Sequence, residues 1–321
     1  MDRKKINIEK YISEVKRNMN LLISDDIIEK DLLITLILAE FQKHDGVFNE
    51  LIFKGGTLLS RNYLEYHRFS EDLDFIHKNS NKIRKLKRRE REKRIKQFID
   101  VFILKLNEVA EVLDLDFSIN RSNQKYCSIL SGRTVYTFRL YYSSERYLKI
   151  EINFIERMIN KPIESSIKVI TDFFDSEYLL FILGLETKNF RVLSYPIQEV
   201  VLEKYRAILT RNYLMERDLF DLFLIHKSLD VDINNVVEKI EVSSLIKKQI
   251  NNLIEDKYKQ LKENKFFSST ERISDLAIIK YDLEEFDEFK EKIKPILIRI
   301  CEKFIKRNLL PPTNSKKLIN S

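Results

Sequence analysis

The sequence predicts an α+β protein in which a mixed sheet flanked by helices is followed by a mainly helical C-terminal domain. Three observations carry that expectation. Segments of alternating apolar and polar residues recur as far as Glu156, the pattern of strands with one face in a core. Helical periodicity takes over beyond Tyr195-Pro196, where strand signals fade. A chain of 321 residues, 44% hydrophobic and with only five glycines and five prolines, is also large enough to bury roughly two cores. The expected domains are residues 1–195 and 196–321.

In chain order, residues 8–43 read as two amphipathic helices, with Asp25 and Asp26 as the cap of the second. A short strand follows at Leu51 to Phe53, then the glycine pair Gly55-Gly56, a helix from Thr57 to about Leu64, and a second strand through Phe75. Asn81 to about Leu113 reads as one long helix, intensely basic in its first half and apolar in its second. DLDFSIN, SILSGRTVYTFRLYY and RYLKIEINFIE then alternate as antiparallel strands. IQEVVLEKYRAILTR, ERDLFDLFLIHKSL, SSLIKKQINNLIEDKYKQL and EFDEFKEKIKPILIRICEKFIK are helical, and the tail LLPPTNSKKLINS reads as a frayed end.

Composition narrows the partners. Lysine and arginine outnumber aspartate and glutamate by 57 to 50, and the pI near 9.0 suits an anionic partner such as nucleic acid. Cys127 and Cys301 stand apart, outside any CxxC pair, so neither a disulfide framework nor a cysteine zinc site is expected. A reducing, cytoplasmic compartment is the simplest setting. The longest apolar stretch, Tyr178 to Leu185, is too short to span a bilayer. No apolar core follows the charged N-terminus, which argues against a signal peptide.

The chemistry concentrates between residues 53 and 76. In a strand, alternate side chains share a face, so Asp72 and Asp74 of SEDLDF project together while Leu73 and Phe75 enter the core. Two adjacent carboxylates suit a hard divalent cation, which takes oxygen ligands and completes its shell with water and phosphate. LKIEINF offers a third acid, Glu151, on the polar face of another strand, to complete a metal site or act as base on an attacking hydroxyl. In FKGGTLL, Gly55 and Gly56 let the backbone approach an anion, and the helix beginning at Thr57 adds N–H groups. Ser70 and Arg68, expected on the polar face of the Asp72 strand, could hold the same phosphates, as could Lys54. The basic run from Lys82 to Lys96 is a candidate contact for a nucleic-acid backbone. The four histidines are scattered without ligand spacing, and none is assigned to a metal.

These motifs resemble the signature of the AbiEii/AbiGii family of toxin-like nucleotidyltransferases, which includes the MenT toxins and belongs to the polymerase-beta-like superfamily. FKGGTLL resembles the family's phosphate motif, RFSEDLDF its metal motif and LKIEINF its third-acid strand. EVVLEKYRAILTR and ERDLFDLFLI resemble a later lysine-bearing helix and an Arg-Asp-x-x-Asp helix. The resemblance spans roughly residues 30–230. It implies a nucleotidyltransferase-type fold and roles for Lys204 at the nucleotide, for Asp218 at the active site, and for Arg217 and Asp221 beside them.

It further implies transfer of an NMP from an NTP to an acceptor hydroxyl, with Mg²⁺ or Mn²⁺ on Asp72, Asp74 and Glu151. The acceptor it suggests is a tRNA 3′ end. The setting it suggests is a toxin–antitoxin or abortive-infection phage-defence system with a cognate antitoxin that need not bind directly. A non-catalytic nucleotide- or RNA-binding module, a DNA-acting enzyme of a mobile element, and NMP transfer onto a protein are the rivals, and fold analogy alone does not choose among them.

Overall fold

The computed structural model describes residues 7–44, 46–174, 190–241, 247–267 and 273–309. The apolar stretch Tyr178 to Leu185, the start of SSLIKKQINNLIEDKYKQL and the tail from Leu310 lie outside them. The chain divides into two compact units: residues 1–200 with 274–280, and residues 201–273 with 281–321.

The first unit is built on seven strands: β1 (Leu51–Lys54), β2 (Asp72–His77), β3 (Cys127–Leu130), β4 (Val135–Tyr141), β5 (Tyr147–Asn153), β6 (Ile163–Ile167) and β7 (Phe190–Ser194). They form one mixed sheet in the order β3-β4-β5-β2-β1-β7-β6. The pairs β2/β5 and β1/β7 are parallel and the other four are antiparallel. Alternation sets the core: Phe53 of β1 faces Phe75 of β2, with ring centroids 5.3 Å apart and both side chains buried. Burial of rings this size stabilises by about 1.5–3 kcal/mol each. The helix Asp25–Lys43 is buried on nearly every side, from Leu32 through Phe41, because its apolar residues encircle it rather than forming one stripe.

Several sequence expectations change in detail. Ser24, not Asp25 or Asp26, precedes that helix as its cap, and the two aspartates occupy its first turn, where negative charge meets the positive end of the dipole. The expected helix over 57–64 begins at Gly55, runs as α-helix to Leu58 and widens into a π turn over Leu59–Tyr63. The expected single helix over 81–113 is two pieces, Ser80–Ile83 and Arg88–Val112. Between them Lys87 is extended, as unrelieved like charge at helical spacing disfavours continuation. DLDFSIN makes only an isolated bridge, Asp116 to Tyr141. Strands β6 and β7, short and at one end of the sheet, carry no clear alternation and were not expected.

Residues 274–280 return to the first unit through a bridge between Arg68 and Ala277, with Phe69 N–H donating to Leu276 O at 2.9 Å. The second unit is helical: Ile197–Thr210, most of which lies in this unit, then Glu216–Ser228, Val236–Ile240, Lys247–Lys262 and Leu283–Leu309. Phe220 and Phe223 pack on Phe286 at 5.7 and 5.5 Å between centroids. Both thiols are buried, Cys127 in β3 of the first unit and Cys301 in the last helix of the second. Burial pushes Cys127 above its ordinary pKa and Cys301 up to about 12. Among the described residues, no helix is long and apolar enough to cross a membrane.

Candidate active site

The site is assembled by strand pairing. Antiparallel β1 and β2 set Lys54 opposite Asp74, and parallel β2 and β5 set Asp72 opposite Lys149 and Asp74 opposite Glu151. Opposed residues share a face, so one face of the sheet carries Lys54, Asp72, Asp74, Lys149 and Glu151 side by side. The three acids read from sequence parity are thus adjacent, and two lysines flank them.

Their electrostatics are uneven. Lys149 Nζ lies 2.8 Å from Asp72 Oδ2, with both side chains about one-third exposed at 32% and 33%. Asp74 and Glu151 are half-buried, and their carboxylates make no hydrogen bond or ion pair among the described residues. Burial raises the Glu151 pKa and the Asp74 charge raises it further, against the opposing pull of Lys54 and Lys149. Burial works against the Lys149 ammonium, yet Asp72, Asp74 and Glu151 together hold its proton more tightly than usual. No three His, Cys, Asp or Glu side chains among the described residues already converge at metal-holding distances.

The glycine pair adjoins the acids. Gly55 has φ +83°, and a Cβ there would stand 2.4 Å from Asp74 Oδ2. At Gly56 a Cβ would meet Arg68 Nη2 at 2.7 Å and Ser70 Oγ at 3.1 Å. Thr57 Oγ1 donates to the Asp72 carbonyl and shares a hydroxyl–hydroxyl hydrogen bond of 3.0 Å with Ser70 Oγ. Gly55, Gly56, Thr57, Arg68 and Ser70 are therefore gathered around one loop, beside Asp74.

Two of these residues differ from their expected placement. Arg68 is not on the strand, which begins at Asp72. It is buried on the approach to β2, donates from Nη1 to Phe69 O at 2.8 Å, and turns its guanidinium toward Gly56. The bridge to Ala277 holds its backbone there. Lys54 is buried and ion-paired with Glu156 at 2.8 Å, and Tyr195 Oη donates to the other Glu156 oxygen at 2.7 Å. Glu156 was not singled out from the sequence, because no periodic signal marks a residue just past a strand end. Lys149 was not singled out either, because a lysine on the polar face of a strand carries no sign of the acid it will meet.

The loop is anchored from behind. In the π turn Arg61 is buried and donates to Asp31 Oδ1 at 2.6 Å, Asp31 O at 2.8 Å and Thr35 Oγ1 at 3.0 Å. This ties the segment after Gly55-Gly56 to the helix Asp25–Lys43.

In the second unit Lys204 is buried between Asp218 at 2.8 Å and Asp221 at 2.5 Å. Arg211 also pairs with Asp218. Burial tends to raise the Asp218 pKa, but Lys204 and Arg211 hold it below the ordinary aspartate value. Arg217 is half-exposed on the same helix.

The basic segment is solvent-facing. Lys82, Lys85, Lys87, Arg89, Lys93, Arg94 and Lys96 are exposed and none of them has an acidic partner among the described residues. On the same surface Arg88 pairs locally with Glu92 at 2.9 Å.

A family model described as nucleotidyl transferase AbiEii toxin, type IV TA system, matches residues 36–296, more than three-quarters of the chain. Among solved structures, MenT4, a nucleotidyltransferase toxin from Mycobacterium tuberculosis H37Rv, matches with 13% sequence identity and a TM-score of 0.45. That match covers 91% of this chain and 98% of that one. A sequence search of curated proteins finds no match.

Proposed function

Because the chain belongs to the AbiEii family of nucleotidyltransferase toxins of type IV toxin–antitoxin systems, we propose that it transfers an NMP from an NTP to an RNA hydroxyl at the β1/β2/β5 face. The unpartnered carboxylates of Asp74 and Glu151, in register on neighbouring strands, carry this reading. A half-buried pair of like charges is costly unless a cation joins it.

Asp72, Asp74 and Glu151 fit a divalent ion by donor chemistry, being hard oxygen ligands on one face. Such an ion, Mg²⁺ or Mn²⁺, would neutralise charge developing on the phosphate. The chain's own residues do the rest. Gly55 and Gly56 admit the triphosphate against the backbone, and Thr57, Ser70 and Arg68 supply hydrogen bonds and positive charge to its oxygens. Glu151, in register with Asp74 on the neighbouring strand, is the candidate base for the proton of the attacking hydroxyl. That hydroxyl forms the new bond to the alpha phosphorus as pyrophosphate leaves. Lys54 acts at one remove, as the positive neighbour of Glu151, since its ammonium is engaged by Glu156.

By their family motifs Lys204 is implied as a nucleotide contact and Asp218 as an active-site acid, with further roles for Arg217 and Asp221. The seven unpartnered cations of the basic segment support an RNA acceptor, where each neutralised phosphate contributes by counterion release, and a tRNA 3′ end is the acceptor we favour. A cytoplasmic setting and a cognate antitoxin, which need not bind the chain directly, complete the proposal.

The test is incubation of wild-type and Asp74→Asn protein with each alpha-radiolabelled NTP, Mg²⁺, total bacterial RNA and lysate protein, resolved on denaturing gels. Label on tRNA-sized RNA with wild type alone is expected. Label on a protein band would reassign the acceptor, and no Asp74-dependent label with any NTP would refute transfer at this face.

A further inference from the structure

We propose that Lys149 is a built-in counter-cation of the acidic face, competing with the divalent ion for Asp72, so that ion binding requires its ammonium to leave. The proposal rests on the metal-dependent transfer argued above.

Three observations carry it. The parallel pairing of β2 and β5 fixes Lys149 opposite Asp72 one step along from the Asp74–Glu151 pair. The ammonium lies 2.8 Å from Asp72 Oδ2, within direct ion-pair distance of one proposed ligand, while the other two acids have no such partner. No three acidic side chains among the described residues converge on a common point. Asp72, the acid that Lys149 holds, is the ligand an incoming ion would have to share with the ammonium.

The exchange needs no movement of the sheet. The strand ladder fixes both Cα positions, but Lys149 is about one-third exposed, at 32%, and its flexible four-carbon stem can turn a compact, strongly hydrated ammonium out to solvent. Cation and ammonium are alternatives at Asp72 because a positive charge at that distance repels an incoming divalent ion. A lysine in this place keeps the three carboxylates from collecting a divalent ion before the nucleotide arrives. The triphosphate brings negative charge that shifts the competition toward the ion.

The experiment measures Mn²⁺ binding by the full chain without nucleotide, following the free-ion signal by electron paramagnetic resonance. Wild type, Lys149→Met, Lys149→Gln and Lys149→Arg are compared, each checked for unchanged folding by circular dichroism. The two neutral variants should bind Mn²⁺ about tenfold more tightly than wild type, about 1.4 kcal/mol, and Lys149→Arg should bind like wild type. Equal affinity in all four, or weaker binding in the neutral variants, overturns the role of Lys149 while leaving the metal site standing. Binding indifferent to Asp74→Asn, or absent from every protein, removes the metal site itself and the role of Lys149 with it.

Discussion

Gly55→Ala separates two consequences of one substitution. Gly55 sits at φ +83°, a left-handed conformation that costs a residue with a Cβ roughly 1–2 kcal/mol. For a unit of about 200 residues each kcal/mol lowers Tm by about 2–4 °C, so a fall of roughly 2–8 °C is expected. The new methyl would also stand 2.4 Å from Asp74 Oδ2, whereas ordinary contact begins at 3.4 Å. The carboxylate must therefore retreat by about 1 Å, a misplacement that costs on the order of 10²-fold in rate. Gly132→Ala is the control. It has φ +64° but nothing within 4 Å of its Cβ, so it should lose stability and keep transfer. Thermal unfolding and radiolabelled NMP transfer read the two effects independently. Gly55→Ala retaining transfer within threefold of wild type would show that Asp74 need not hold its place, and an unchanged Tm would refute the backbone argument.

Two further outcomes follow from buried groups. Arg61→Met leaves Asp31 buried without its guanidinium, and breaking such a pair from one side costs about 3–5 kcal/mol. Urea unfolding should show that loss, with Arg61→Met/Asp31→Leu recovering most of it, and a single-variant change under 1 kcal/mol would contradict the pairing. Burial lowers the His77 pKa to about 4 from 6.5, so the unfolded chain takes up this proton first as pH falls. Its neutral folded form is at full advantage above 6.5 and loses it as pH drops toward 4, by about 3 kcal/mol in all. His77→Gln, which keeps an acceptor for the Asn79 N–H, should flatten urea midpoints across that window, and parallel curves for the two proteins would refute it.

The acids were legible because a strand reads in twos. The parity of Asp72 and Asp74 around Leu73, and of Glu151 between Ile150 and Ile152, fixes their face without knowledge of the partner strand. The glycine pair was legible for a different reason, since two glycines in a chain with only five mark a backbone that must pass close to something. What sequence parity cannot supply is who stands opposite. The Lys149–Asp72 pair depends on the β2/β5 register, which closes a loop of more than seventy residues. Arg68 reaches Gly56 through a bridge to Ala277, two hundred residues away in the chain, and Lys54 is neutralised by an acid beyond the end of β5. The break before Arg88 was hidden because propensity alone favours helix throughout a lysine- and arginine-rich run, and the cost of crowded like charge opposes it.

The two buried cysteines make the molecule unusually convenient to map. Thiol-directed labels react through the thiolate, and neither Cys127 nor Cys301 offers one, being enclosed in the cores of different units and held in the protonated form. A cysteine introduced at Lys85, Arg89 or Lys93 would be the reactive thiol in an otherwise silent background. Crosslinkers placed there one at a time would test whether RNA lies across the basic surface, without first stripping the protein of its native sulfur.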